Sequence, residues 1–290
     1  MESLIQLLQP NRTITKTGIY VTNDIANTTV WDKLALENPT HAVISATDET
    51  AATEKSHVQI ADIKRHLQPT DIVLDYGCGY GRVAQHLLPQ RQLAGYIGLD
   101  SSYQMLQLFK LRYHKNDDEQ TTPVLLLNAD INSTPLQPAS VDAVIVSAVF
   151  LHNHKSIVHQ AMDQLTRVVK PGGTVLVYSS FPRIATLIGL QGQLYQMALN
   201  LLGRPFKNGP VRYYTAREIK RLFASFTDVQ LVPVGFAVLP KTILILPWPL
   251  EVAWRKGIAN PVNTLLERIT PPVPQVSLCR PFRRYSKAIA

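Results

Sequence analysis

Only two cysteines, Cys78 and Cys279, stand in the 290 residues, about two hundred positions apart and with no C-x-x-C or histidine spacing around them. That excludes a disulfide framework and a zinc site of the usual spacing, and makes a reducing interior the expected setting. Apolar runs are short as well. None reaches eighteen residues, and the nearest approach, LVPVGFAVLPKTILILPWPL at 231–250, holds four prolines with Lys241 at its middle. A spanning helix would tolerate these poorly, so strands and turns are expected there instead. The start, MESLIQLLQPNRTITKTG, lacks the basic head and long apolar core of a secretory signal, which makes the cytoplasm the expected location. Acidic residues are scarce in one region. From Gly203 onward there are fourteen Lys and Arg against four Asp and Glu, whereas residues 1–202 carry fifteen against seventeen. A basic C-terminal third reads as solvated surface or as attraction to an anionic partner; peripheral membrane contact is an expectation, nucleic acid is not.

Against these absences stands a hydrophobic content of 46%, enough for one large α/β domain with an elaboration. Continuous apolar runs at 71–76, 93–100, 124–130, 141–150 and 174–180 predict strands covered on both faces. Helical patterns lie between and before them, at 56–67, 82–88, 101–114 and 155–169, with Ser101 and Ser102 as N-cap candidates and Pro89 and the PGG of 171–173 as stops. Strand and helix in alternation predict a doubly wound sheet with right-handed crossovers, whose ligands bind beyond the carboxyl ends of the strands.

The first strand runs into VLDYGCGYGRVAQHL (73–87), with Gly77, Gly79 and Gly81 at alternate positions. This is a nucleotide-cradling arrangement, but two familiar versions of it are missing. The dinucleotide fingerprint needs a third glycine where Arg82 stands, and a phosphate loop needs a G-K-[S/T] that does not follow. Instead, acids close successive strands: Asp75 before the glycines, Asp100 in YIGLDSSYQML (96–106) and Asp130 in LNAD (127–130).

These stretches, with LTRVVKPGGTVLV (165–177), resemble in order and spacing the motifs of class I S-adenosylmethionine-dependent methyltransferases, of the small-molecule type 11 kind. RYYTAREIKRLFASF (212–226) is similar, more loosely, to the helix before the family's sixth strand. The resemblance implies a mostly parallel seven-stranded α/β sheet with helical lid insertions, and S-adenosylmethionine as cofactor. On it, Gly77, Gly79 and Gly81 let the backbone approach the ligand, and Asp75 orders the loop or meets the methionyl ammonium. Asp100, with Ser101 beside it, receives the ribose hydroxyls. Asp130 and the amide of Ile131 meet adenine, and Ser147 stands at the fourth strand end. The chemistry agrees, since this cofactor has no phosphate and its one anion, the methionyl carboxylate, suits a helix N-terminus. A carboxylate also accepts two hydrogen bonds from a vicinal diol.

The fourth strand ends in SAVFLHNH (147–154), without the Asn/Asp-Pro-Pro-aromatic loop of amide and base-amine methylation. The expected acceptor is therefore a small molecule, apolar or anionic. His152 and His154 are the candidates for a general base, with His154 on a position that caps the following helix in the family. Tyr80, Tyr213 and Tyr214 are pocket or packing residues, and no metal is expected. Residues 1–50 are read as an N-terminal extension and candidate lid, in which GIYVTND or VWDKLALENP closes over the cofactor, and 51–290 as the methyltransferase domain. Within it lie a helical insert at 184–211, striped by Leu187, Leu190, Leu194, Met197 and Leu201, and a C-terminal insert at 247–282 before a seventh strand in RRYSKAIA (283–290). Two other classes remain open at this point: a nicotinamide-dependent oxidoreductase and a non-catalytic binding module.

Overall fold

Runs of Val, Ile and Leu too continuous for a one-sided strand form the middle of a sheet covered on both faces. The computed structural model describes residues 1–22, 30–37, 49–90, 92–114, 122–178, 180, 193–194, 196–198, 200–203, 211–233, 248–259, 261–262 and 274–281. Five parallel strands carry the centre: β3 (Ile72–Tyr76), β4 (Gly95–Asp100), β5 (Val124–Asn128), β6 (Val141–Ser147) and β7 (Val169–Tyr178). A hairpin, β1 (Thr13–Lys16) and β2 (Ile19–Thr22), precedes them, and β8 (Phe226–Pro233) and β9 (Pro274–Pro281) follow. The sheet order is β1-β2-β5-β4-β3-β6-β7-β9-β8, with β9 antiparallel to both β7 and β8. Seven of these strands are the sheet expected from the sequence, and β2 adds the hairpin by pairing parallel with β5.

Alternate residues of each central strand feed two apolar layers. Leu74 and Tyr76 of β3 join one cluster with Val144 and Val146 of β6, while Val73 joins the other with Ile145. Each such side chain, fully withdrawn from water, contributes about 1.5–3 kcal/mol. Helices α1 (Glu2–Ile5), α2 (Val30–Glu37), α3 (Glu49–His66), α4 (Arg82–Leu87), α5 (Tyr103–His114), α6 (Lys155–Val168), α7 (Ala216–Leu222) and α8 (Trp248–Trp254) flank the sheet in the described chain, with short helical turns such as Phe150–His152 between elements. In α6, Val158, Ala161, Met162, Leu165 and Val168 recur at helical spacing and are buried. Helix α7 starts from a capping box in which Thr215 and Glu218 satisfy each other's backbone amides. Among the described residues no helix is long and apolar enough to cross a membrane, and no group of three or more His, Cys, Asp or Glu could hold a metal.

The ends of the chain depart from expectation. Of GIYVTND, read as able to close over the cofactor, Ile19–Thr22 is a sheet strand paired with β5, and Asn23 and Asp24 lie outside the described residues; Leu4 is 1% exposed in the core. The slot of the seventh strand is filled by Pro274–Pro281, inside the segment read as a C-terminal insert, because the ladder to β7 and β8 lies there. RRYSKAIA and residues 184–192 of the helical insert lie outside the described residues. Of the insert's apolar stripe, Leu194, Met197 and Leu201 are exposed, Leu201 by 87%, so these positions do not pack onto the sheet.

Candidate active site

Beyond β3 the chain turns through Gly77, Gly79 and Gly81, all at positive φ. A Cβ on Gly81, at φ 83°, would lie 2.6 Å from the Phe109 ring, and one on Gly77 would lie 2.4 Å from the Val149 side chain. At these two positions the missing side chain answers to neighbouring protein, where the sequence suggested approach to a ligand. The Gly77 and Cys78 amides donate to Leu99 O at 2.7 and 3.0 Å, which ties the loop to the end of β4. Burial pushes the Cys78 thiol well above its ordinary range, so this cysteine is inert packing.

Asp100, the last residue of β4, organises the next corner. Its Oδ2 accepts from Gly79 N at 2.8 Å and its Oδ1 from Ser102 N at 2.8 Å. Burial raises the Asp100 carboxyl to about 6, with the two amide hydrogen bonds working in the opposite direction. Asn128 Nδ2 donates to the carbonyls of Asp100 and Ser101, both at 3.0 Å, and so fixes the β4 and β5 ends against each other.

Between the ends of β3 and β6 lies a cleft of about 310 Å³. Eight of the residues singled out in the sequence line it: Gly77, Gly79, Asp100, Ser101, Asp130, Ile131, Ser147 and His152. Asp75, Gly81 and His154 do not. His154 caps α6, its ring nitrogen accepting from Ser156 N. Tyr80 and Tyr214 are buried in the packing. Asp75, 1% exposed, accepts from Tyr96 OH at 2.5 Å behind the loop.

Burial raises Asp75 to about 7, against the Tyr96 hydrogen bond and the charge of Arg82, which lower it. The folded chain therefore holds this proton up to about pH 7, while the unfolded chain releases it near 3.8. The stability linked to it is complete below pH 3.8 and is lost as pH rises through 7; at most about 4 kcal/mol is involved. Asp75→Asn keeps an acceptor for Tyr96 and is expected to flatten most of this decline, as read by urea denaturation between about pH 5 and 8. Parallel slopes in the two proteins would exclude Asp75 as its source.

Other cleft residues were not singled out one by one in the sequence, although Trp31 and Asp32 fall in VWDKLALENP, the stretch read as able to close over the cofactor. Trp31, at the start of α2, lines the cleft and meets the His152 ring edge-on, with centroids 5.2 Å apart. Its neighbour Asp32 accepts from Ser102 Oγ at 2.7 Å and Gln104 N at 3.1 Å, which anchors α2 on the start of α5. Met105 and Ile157 add apolar wall. Arg82, where a dinucleotide loop would have its third glycine, is buried and donates to Gln59 Oε1 at 2.8 Å and Ser147 Oγ at 2.9 Å. The side chain fills the space in which a glycine would let helix and strand close, which disfavours the nicotinamide reading.

Residues 74–177, from β3 through β7, match the methyltransferase domain family. Over this span the chain carries a methyltransferase domain similar to those of the class I S-adenosylmethionine-dependent methyltransferases. An uncharacterized methyltransferase of Schizosaccharomyces pombe is 24% identical over 165 residues, which is 55% of each chain. One of Mycobacterium tuberculosis is 33% identical over 108 residues, 37% of this chain and 50% of its own. The chain thus spans about half the length of these curated relatives. Among solved structures, a chain from the complex of the Haloferax volcanii Trm112 methyltransferase activator with its methyltransferase is 16% identical and superposes with a TM-score of 0.52, covering 88% of this chain and 99% of that one. That likeness is one of fold. A methyltransferase of this class uses S-adenosylmethionine, and the cleft suits it, with carboxylates at two successive strand ends and no cluster of cations that a phosphate would call for among its lining residues.

Proposed function

We propose that this methyltransferase transfers the methyl group of S-adenosylmethionine to a small-molecule acceptor, apolar or anionic, held in the cleft beside His152. The observation that carries the reading is that Asp100 and Asp130, from the ends of two adjacent strands, line one cleft together with Gly77 and Gly79. In it the Asp100 carboxylate, already holding two amides with one lone pair each, has further lone pairs to offer the ribose diol. Asp130 and the Ile131 amide would take adenine, and the loop amides the methionyl end. Asp75 acts from behind by ordering the loop. When bound, the cofactor supplies a methyl group already activated by its sulfonium.

The protein's own work is then alignment and exclusion of water. Trp31, Val149 and Ile157 provide apolar walls for that purpose. Burial lowers His152 to about 4, so its imidazole is neutral at physiological pH and can accept a proton, though as a weak base. This suits an acceptor whose proton becomes strongly acidic only as its bond to the methyl group forms. His154, committed to capping α6, serves structure in this reading.

Calorimetric titration of the dialysed protein with S-adenosylmethionine, S-adenosylhomocysteine and NAD tests the proposal. Saturable binding of both adenosyl compounds, with none of NAD, is the expected result. Binding of NAD alone would overturn it. Cofactor binding without release of S-adenosylhomocysteine across a broad metabolite panel would favour a binding module.

A further inference from the structure

Three buried side-chain nitrogens find no hydrogen-bond partner among the described residues: His152 Nδ1, Gln193 Nε2 and Arg212 Nε. A buried polar group left unpaired is costly, which makes each of them a place where a ligand atom would be favoured. They are far apart in sequence, yet backbone contacts draw their segments together. Arg212 N donates to Leu151 O at 2.6 Å, which sets Arg212 beside the residue preceding His152. Tyr214 OH donates to Phe150 O at 3.3 Å, continuing the same contact. Gln196 Nε2 donates to Val211 O at 2.9 Å and pins the helical residues around it to this strand of chain. Gln193, three residues earlier, shares that helix face one turn away. The segments that carry Gln193 and Arg212 thus meet at the back of the wall that carries His152, next to the cleft rather than among the residues that line it.

The chemistry of the three is specific. Arg212 Nε and Gln193 Nε2 can only donate, and one of them belongs to a fixed cation. Lys155, the cation nearest to His152 along the chain, is already taken up by Glu218 at 2.6 Å. One guanidinium with one amide donor matches a planar monoanion with two oxygens; a phosphate dianion would call for more positive charge. The apolar walls at Trp31, Val149 and Ile157 ask for an apolar body behind that anion.

We propose that Gln193 and Arg212 form a carboxylate-recognising end of the acceptor site, so that the substrate class is small carboxylic acids with an apolar or aromatic body. The carboxylate is the anchor, and the atom to be methylated lies toward His152. This rests on the methyl-transfer reading, and its test is separable from that one. The wild-type protein, saturated with S-adenosylhomocysteine, is titrated with benzoate, phenylacetate and para-hydroxybenzoate and with their methyl esters. The acids are expected to bind at least about tenfold more tightly than the esters, the range for a hydrogen bond to a charged group. Arg212→Gln and Gln193→Leu should each erase that preference while leaving affinity for S-adenosylhomocysteine unchanged, and Arg212→Lys should restore part of it. Should Arg212→Gln fail to fold, Gln193→Leu carries the same comparison. Equal affinity for acids and esters, no saturable binding of any acid, or a preference that survives both substitutions overturns the inference. Failure of the wild-type protein to bind S-adenosylhomocysteine at all would instead strike the methyl-transfer reading.

Discussion

Asp100→Ala is expected to weaken binding of S-adenosylmethionine and S-adenosylhomocysteine by about 1.5–3 kcal/mol, the cost of removing hydrogen bonds to a charged acceptor. In the proposed complex this carboxylate takes the ribose hydroxyls, and in the free protein it already holds the Gly79 and Ser102 amides at 2.8 Å. The loss should thus combine a missing contact with a loosened loop. Asp100→Asn separates the two, since it retains an acceptor for one amide while removing the charge. Acidity supplies a second reading of the same residue. Burial raises Asp100 to about 6, so wild-type affinity should fall as pH drops through that value, where the carboxylate becomes a weaker acceptor. The Asn variant should lack that component. Calorimetry on folded protein decides, and an alanine variant that melts normally but binds as before would remove Asp100 from the cofactor site.

Gly81→Ala should be among the most destabilising single-atom additions in the molecule. At φ 83° the left-handed backbone alone costs an L-residue roughly 1–2 kcal/mol. The added Cβ would also lie 2.6 Å from carbons of the Phe109 ring. That ring has little freedom to step aside, being fully buried and edge-packed against Tyr96 and Tyr113. Overpacking of such a site costs about 1–3 kcal/mol more. Gly172→Ala is the internal control: its φ is 81°, but nothing lies within 4 Å of the added Cβ. The two variants should therefore differ in urea denaturation by about the overpacking cost. Equal losses would mean that the packing around Phe109 yields.

Local chemistry made the centre of the molecule legible in the sequence. Strands β3 to β7 are continuous apolar runs because both their faces are covered, and Asp100 and Asp130 stand where those runs stop. Gly81 was legible as a glycine, but its reason was not, since the Phe109 ring that occupies its side-chain space comes from α5, more than twenty residues on. Trp31 and Asp32 were legible only as part of VWDKLALENP, the stretch read as able to close over the cofactor, and not as site residues in their own right. Which of its side chains face the cleft is decided by the tertiary contact of α2 with Ser102 and Gln104. The position of the last strand was missed for a related reason. Basic and proline-rich chain from 247 to 290 offers no periodic signal, and the register of β9 is set by its antiparallel neighbours β7 and β8.

The hairpin β1–β2 bears on how this domain avoids sticking to its own kind. In a sheet ending at β5, the outermost strand would be Val124–Asn128, an apolar run whose free amides and carbonyls form a template for another chain. Here β2 occupies that template along Tyr20 and Val21. The new border, β1, is four residues long, mostly exposed, and built of threonines, an isoleucine and Lys16. A short, polar border bearing a lysine is a poor seed for intermolecular strand pairing. The hairpin thus acts as a solubility guard for the sheet as well as part of its architecture, and a domain trimmed to the β3–β7 span that the family model matches would leave the β5 edge open to strand pairing.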